Sequence, residues 1–228
     1  LLAASCDAQH RGKAFGFHRA MDTAGAALGP LVAVLLLEVF NTGYRALFLL
    51  AFIPAVLAVW VLAARVEESS VPAGSAESAP ADIPLSPDFK RFVCVYMIFA
   101  LGNSSDVFLL LKAKDVGLTA ARVILAYVLY NVVYALAAAP AGMLSDKLGR
   151  RKTLAVGLLV FAGVYLGFAR ARTETAVWLL FAAYGLYGAF SEGVAKAAVA
   201  DMSLPGNRGL AMGLFQACVG GAAFVASL

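Results

Sequence analysis

Gly142-Met143-Leu144-Ser145-Asp146-Lys147-Leu148-Gly149-Arg150-Arg151-Lys152 stands between two apolar runs, about 122–144 and 153–169. Four cations fall between Asp146 and Lys152. A helix needs ~20 mostly apolar residues to cross the hydrocarbon core of a bilayer, and both flanking runs approach or exceed that length. Lys and Arg accumulate in loops on the cytoplasmic side, so a short cationic turn between two such runs is expected there. Five further runs qualify: about 14–37, 44–64, 92–111, 176–200 and 209–228. They are too long for barrel strands and lack strict alternation, so an all-α membrane protein with seven spans is expected.

Composition points the same way. Of 228 residues, 62% are hydrophobic and 14% charged, with a mean hydropathy of +0.83. A soluble domain carries about 45–50% apolar and about 25% charged residues, so there are too few charges here to cover a water-exposed surface. Intrinsic disorder is excluded by the same figures. Cys6, Cys94 and Cys218 are far apart in sequence and read as packing thiols, neither a disulfide framework nor metal ligands. The net charge of +4 is small and dispersed, which argues against nucleic acid as a partner. Arg11, Lys13, Arg65, Lys90, Arg91, Lys147, Arg150, Arg151, Lys152 and Arg208 fall on one side of the spans. The other side holds only Arg45, Lys112, Lys114, Arg122, Arg170 and Arg172. The excess assigns the first group to the cytoplasm.

Residues 66–88 differ from all of this. They contain Pro72, Pro80, Pro84 and Pro87 among serines and acids, with no helical or strand period, and read as a cytoplasmic linker. The expected organisation is 1–65 as the end of one helical bundle, 66–88 as linker and 89–228 as a second bundle. Leu1 to Ser5 resembles the end of an earlier span, and Leu228 falls inside an apolar run, so a longer protein is expected. An internal repeat supports two related halves. Aligning Arg11 with Arg208 also pairs Gly12 with Gly209, Ala14 with Ala211, Gly16 with Gly213, Ala20 with Ala217 and Ala26 with Ala223. Each copy follows a cytoplasmic connection and opens an apolar span. Six spans separate the copies, the period of transporters built from two parallel halves.

The Gly142–Lys152 stretch resembles the G-x-L-x-D-R-x-G-R-K loop of the major facilitator superfamily, with Lys147 where arginine is usual. Gly16, Gly25, Gly29 and Pro30 resemble that family's antiporter-associated fifth-helix pattern, although Ala33-Val34 stands in place of its paired glycines. The resemblance implies a twelve-helix fold of two bundles, of which this chain would hold the tail of the fourth helix through the eleventh. It also implies a secondary transporter. In the family the loop packs against the opposite half. Asp146 would then face the start of the span near Arg11 and Gly12, and Gly142, Asp146, Gly149, Arg150 and Arg151 would form a conformational latch. A carboxylate at a helix N-terminus gains ~0.3–1 kcal/mol from the helix dipole. A topology signal alone is the plainer alternative.

Spacing supplies reasons for the other candidates. At about 100° per residue His18, Asp22, Gly25, Gly29 and Ala33 form one narrow stripe, whose small members would let a neighbouring helix approach. Ionisable groups inside spans cost ~2.5–3.5 kcal/mol each and usually face a cavity or a partner. Asp106, Asp22 and Glu192 are therefore coupling candidates. Asp106 ranks first because Asn103, Ser104 and Ser105 beside it are neutral. Glu192 has Lys196 one turn away, with which it is expected to pair. Tyr127, Tyr130, Asn131 and Tyr134 share one helical face, and Tyr184 and Tyr187 share another with Gly188 and Ser191. Together with Asn103, Lys196 and Gln216, the tyrosines and Asn131 are candidates for a substrate cavity suited to an amphipathic organic molecule. Helix–helix packing with paired hydroxyls is the alternative for the tyrosines.

Metal-binding, phosphate-loop and nucleophile-elbow patterns are lacking, so neither enzyme activity nor a cofactor is expected. The resulting expectation is a multi-pass plasma (inner) membrane protein that exports a small organic compound in exchange for protons. Its partners would be substrate, protons, the bilayer and the remaining helices of the full-length protein. Proton symport or uniport uptake, and a non-transporting sensor or assembly role on the same fold, are the alternatives.

Overall fold

The computed structural model describes residues 7–65, 86–204 and 206–227. After a 3-10 turn at Ala8–His10 come α1 (Arg11–Val34), a π-helical turn at Leu35–Val39, and α2 (Tyr44–Arg65). Then follow α3 (Pro87–Gly102), α4 (Asp106–Asp115), α5 (Ala120–Leu148), α6 (Arg150–Arg170), α7 (Glu174–Asp201) and α8 (Arg208–Ala226). Among the described residues seven segments are long and apolar enough to cross a membrane. They run Arg11–Leu37, Tyr44–Arg65, Pro87–Asp115, Ala120–Leu148, Arg150–Arg170, Glu174–Asp201 and Arg208–Ala226. Each expected span falls on one of them. The two copies of the repeat open α1 and α8, each at its arginine. The Leu1–Ser5 tail, Cys6, Leu228 and most of the 66–88 linker lie outside the described residues.

Local chemistry sets the helix starts. Ser86 accepts a hydrogen bond from the Phe89 amide, with Pro87 in the first turn where its missing N–H is harmless. Thr119 and Thr173 cap α5 and α7 in the same way, through the amides of Arg122 and Ala176. Pro30 lies inside α1, which continues past it to Val34.

The third span differs from its expectation: 92–111 is not one helix. It stops at Gly102 and restarts at Asp106, with Asn103, Ser104 and Ser105 in irregular backbone between. Such a break survives at membrane depth only where other groups take up the freed polar atoms. Here Asn103 Nδ2 donates to Tyr187 Oη at 3.2 Å, and Ser104 Oγ meets Tyr165 Oη at 3.2 Å. The Ser105 amide donates to Ser227 Oγ at 3.1 Å, and the Ser105 side chain caps α4 through the Val107 amide.

Contacts divide the chain into two compact units. The described parts of one are 7–27 with 86–227 (Pro205 apart), and of the other 28–65. In the first unit α7 packs along both α5 and α6, and α3 along α8. Small residues let α7 come close, as is usual for membrane helices. A Cβ on Gly185 would meet the Tyr130 carbonyl oxygen at 2.5 Å and the Tyr134 amide at 3.0 Å. In the second unit α2 has no buried residue, and Phe48, Phe52 and Trp60 are exposed.

Candidate functional site

The ends of α1, α5, α6 and α7 meet in a charged junction. The first amides of a helix have no partner within it, and α1 has no acidic residue in its first turn. Asp146, from the end of α5, takes that role. Its Oδ1 accepts from the Gly12 amide at 2.9 Å and its Oδ2 from the Lys13 amide at 2.8 Å. Arg150, at the start of α6, donates from Nη1 to Asp146 Oδ1 and to Ser145 Oγ, and from Nε to Asp201 Oδ2 at 3.0 Å. Asp201, the last residue of α7, binds Arg11 Nη1 at 2.8 Å through its other oxygen. Two arginines and two aspartates thus alternate across four helix ends.

Glycines make the junction possible. A Cβ on Gly12 would strike the Gly142 carbonyl oxygen and Arg150, and a Cβ on Gly142 would strike the Gly12 carbonyl oxygen. A Cβ on Gly16 would lie 2.5 Å from the Ala138 carbonyl oxygen. Gly149 has φ +93°, a conformation glycine adopts without strain, and is the single residue between α5 and α6. Arg151 is exposed. Gly25 and Gly29 of the expected small-residue stripe face open space, with nothing described within 4 Å of an added Cβ. Arg11 and Asp201 were not singled out as site residues in the sequence. Asp201 had a signal, being an acid at the end of an apolar span that is followed by Arg208.

Two turns further into α1 lies a second charged group. Arg19 Nη2 pairs with Glu192 of α7 at 2.5 Å and Arg19 Nη1 with Asp22 at 2.6 Å. Its Nε donates to Tyr134 Oη at 2.6 Å, and the guanidinium lies 5.2 Å from the Tyr134 ring centroid. The expected Glu192–Lys196 pair is corrected in part: Glu192 makes its close ion pair with Arg19, whose guanidinium also reaches Asp22 and Tyr134, while Lys196 acts on Glu192 only through space. Arg19 had a sequence signal of its own, a cation well inside an apolar run.

Beside this group is a cavity of about 250 Å³ between α1, α3, α7 and α8. Of the expected cavity residues Asn103, Tyr187, Lys196 and Gln216 line it, and Glu192 joins them. Tyr127, Tyr130, Asn131, Tyr134 and Tyr184 do not. Tyr130 and Tyr184 stack at 5.0 Å in the α5–α7 interface, and Tyr134, 1% exposed, is packed beside them. Asn131 is buried and donates to the Tyr127 carbonyl oxygen. These rings bury more apolar area between helices than they could in an open pocket. Tyr96, Phe99 and Phe215, which show no shared polar face in the sequence, supply the aromatic wall. Asp106 opens α4, half-buried, and accepts from Tyr184 Oη at 2.7 Å. Among the described residues no cation is within ion-pair distance of it.

Seven membrane-length segments among the described residues, a glycine-tight charged junction and a cavity beside Arg19 are the features of a multi-pass membrane protein. The chain belongs to the Major Facilitator Superfamily, whose sequence profile matches residues 1–110 and 92–228. It is similar to an uncharacterized MFS-type transporter of Methanocaldococcus jannaschii, 36% identical over 224 residues, which cover 95% of this chain and 56% of that protein. It is also similar to uncharacterized proteins of Mycobacterium bovis and Mycobacterium tuberculosis, 29% identical over 233 residues, covering 97% of this chain and 56% of each. The chain thus spans a little over half the length of these curated relatives. No solved structure matches it.

Proposed function

We propose that the protein is a secondary active transporter of the inner membrane that exports a small organic compound in exchange for protons. Residues 1–65 would end one helical bundle and 89–228 form the other, joined by a cytoplasmic linker. The observation that carries this reading is the seating of Asp146 across the first turn of α1. That contact joins a helix from each side of the linker, and it can persist only while the end bearing Arg11 and Arg150 is closed. Asp146 would then be the latch, and the Arg11–Asp201–Arg150 ion pairs its reinforcement. Asp106 is the proposed protonation site because no described cation lies within ion-pair distance of it, whereas Asp22 and Glu192 both pair with Arg19. Export is favoured over uptake by the antiporter-like Gly16, Gly25, Gly29 and Pro30.

Full-length protein in proteoliposomes tests this. Substrate counterflow, and accumulation driven by an imposed pH difference, are expected. Compounds that bind the protein yet never exchange across the bilayer would return it to a sensor or assembly role.

A further inference from the structure

We infer that the cavity takes a small aromatic organic anion, with its acidic group on Lys196 and its ring against Tyr96, Phe99 and Phe215. The inference rests on the transporter reading only in calling that ligand a substrate; the site itself stands on the cavity.

Charge accounting in the wall comes first. Arg19 and Glu192 neutralise one another there, and Asp22, which also holds Arg19, lies outside the lining. Lys196, one turn beyond Glu192 on α7, faces the same cavity. Glu192 acts on Lys196 through space but is drawn onto Arg19, and no described carboxylate comes within ion-pair distance of the Lys196 ammonium. The ionised groups that line the wall, Arg19, Glu192 and Lys196, therefore sum to one positive charge, and Lys196, half-buried inside a membrane span, is the one without a close ion pair. A cation so placed is costly unless it meets a partner. A ligand carboxylate, sulfonate or phosphonate would supply a charge-assisted hydrogen bond.

Shape narrows the rest of the ligand. Tyr96 and Phe215 pack edge to face at 5.2 Å, and Tyr96 and Phe99 do so at 5.7 Å. Such a wall offers ring faces and edges to another ring. Benzene fills an engineered cavity of about 150 Å³. The 250 Å³ between these helices has room for one such ring. Asn103 and Gln216 add amide groups that can complete the hydrogen bonds of the acid.

The test uses full-length protein and a matched series on one benzyl group: phenylacetate, phenylmethanesulfonate and benzylphosphonate, against neutral phenylacetamide and cationic benzylamine. Saturable thermal stabilisation by the anions, with none from the amide or amine, is expected. Lys196→Met should raise the half-saturating anion concentration about tenfold or more, the scale of a lost hydrogen bond to a charged group. Lys196→Arg should restore binding. The inference is overturned if no anion stabilises the protein, if amide or amine matches the anions, or if the anion preference survives Lys196→Met. The unmutated comparison stands even where the methionine variant does not fold. Anion binding without counterflow would sink the transporter reading and leave the site. Counterflow of neutral or cationic compounds alone would do the reverse.

Discussion

Gly12 and Gly142 meet backbone against backbone: a Cβ on Gly142 would run into the Gly12 carbonyl oxygen, and a Cβ on Gly12 into that of Gly142. The first turns of α1 therefore meet the end of α5 backbone to backbone, close enough for the Asp146 carboxylate to reach two α1 amides.

Gly142→Ala should wedge the two helices apart. Forcing a methyl group into a packed site costs ~1–3 kcal/mol. In full-length protein an engineered cysteine at Ala14 should become several-fold more reactive to a soluble maleimide.

Asp146→Asn tests the carboxylate apart from the glycines. One acceptor oxygen remains, but the full negative charge against the α1 amides and the ion pair to Arg150 are lost. A loss of ~1–3 kcal/mol from the closed state is expected. It should appear as faster maleimide labelling at the Arg11 end with near-normal expression. Unchanged labelling would leave the loop only a role in topology.

Arg19→Gln and Glu192→Gln should be unequal. Removing Glu192 leaves Arg19 with Asp22 and Tyr134 close by, whereas removing Arg19 leaves Glu192 without a close ion pair and with Lys196 acting on it only through space. Both side chains keep some solvent contact, so the coupling between them in a double-mutant cycle of thermal unfolding should be ~1–3 kcal/mol, below that of a fully buried pair. Arg19→Gln should be the more destabilising single variant.

Asp106→Asn should abolish accumulation driven by a pH difference while sparing substrate-for-substrate exchange. Tyr184→Phe removes the hydroxyl that holds the carboxylate and should weaken coupling less severely. If the Asp106→Asn protein still concentrates substrate on a pH difference, the protonation site lies elsewhere.

The spans were legible because a bilayer imposes length and hydropathy on each helix separately. The break at Asn103–Ser105 was not. Hydroxyls of Tyr165, Tyr187 and Ser227, on α6, on α7 and just past α8, bind the broken segment, and such distant partners leave no local pattern. Glu192 failed for a related reason: Lys196 is one turn away in sequence, but Arg19 arrives from a helix on the far side of the linker. The tyrosine faces were visible as faces, yet periodicity cannot tell whether a face meets another helix or a void. Tyr130 and Tyr184 meet one another.

The one-residue joint at Gly149 also fixes a phase. Asp146 and Arg150 are four residues apart across two different helices, and Arg150 still reaches both Asp146 and Asp201. Each added residue would turn α6 by about 100° relative to α5 if the helix simply extended. A single insertion or deletion there would swing Arg150 away from both acids while leaving the identity of every junction residue unchanged. The alternating charges therefore depend on a residue count as much as on residue identity. A gap at this joint should be more damaging than a conservative substitution at any one member of the junction.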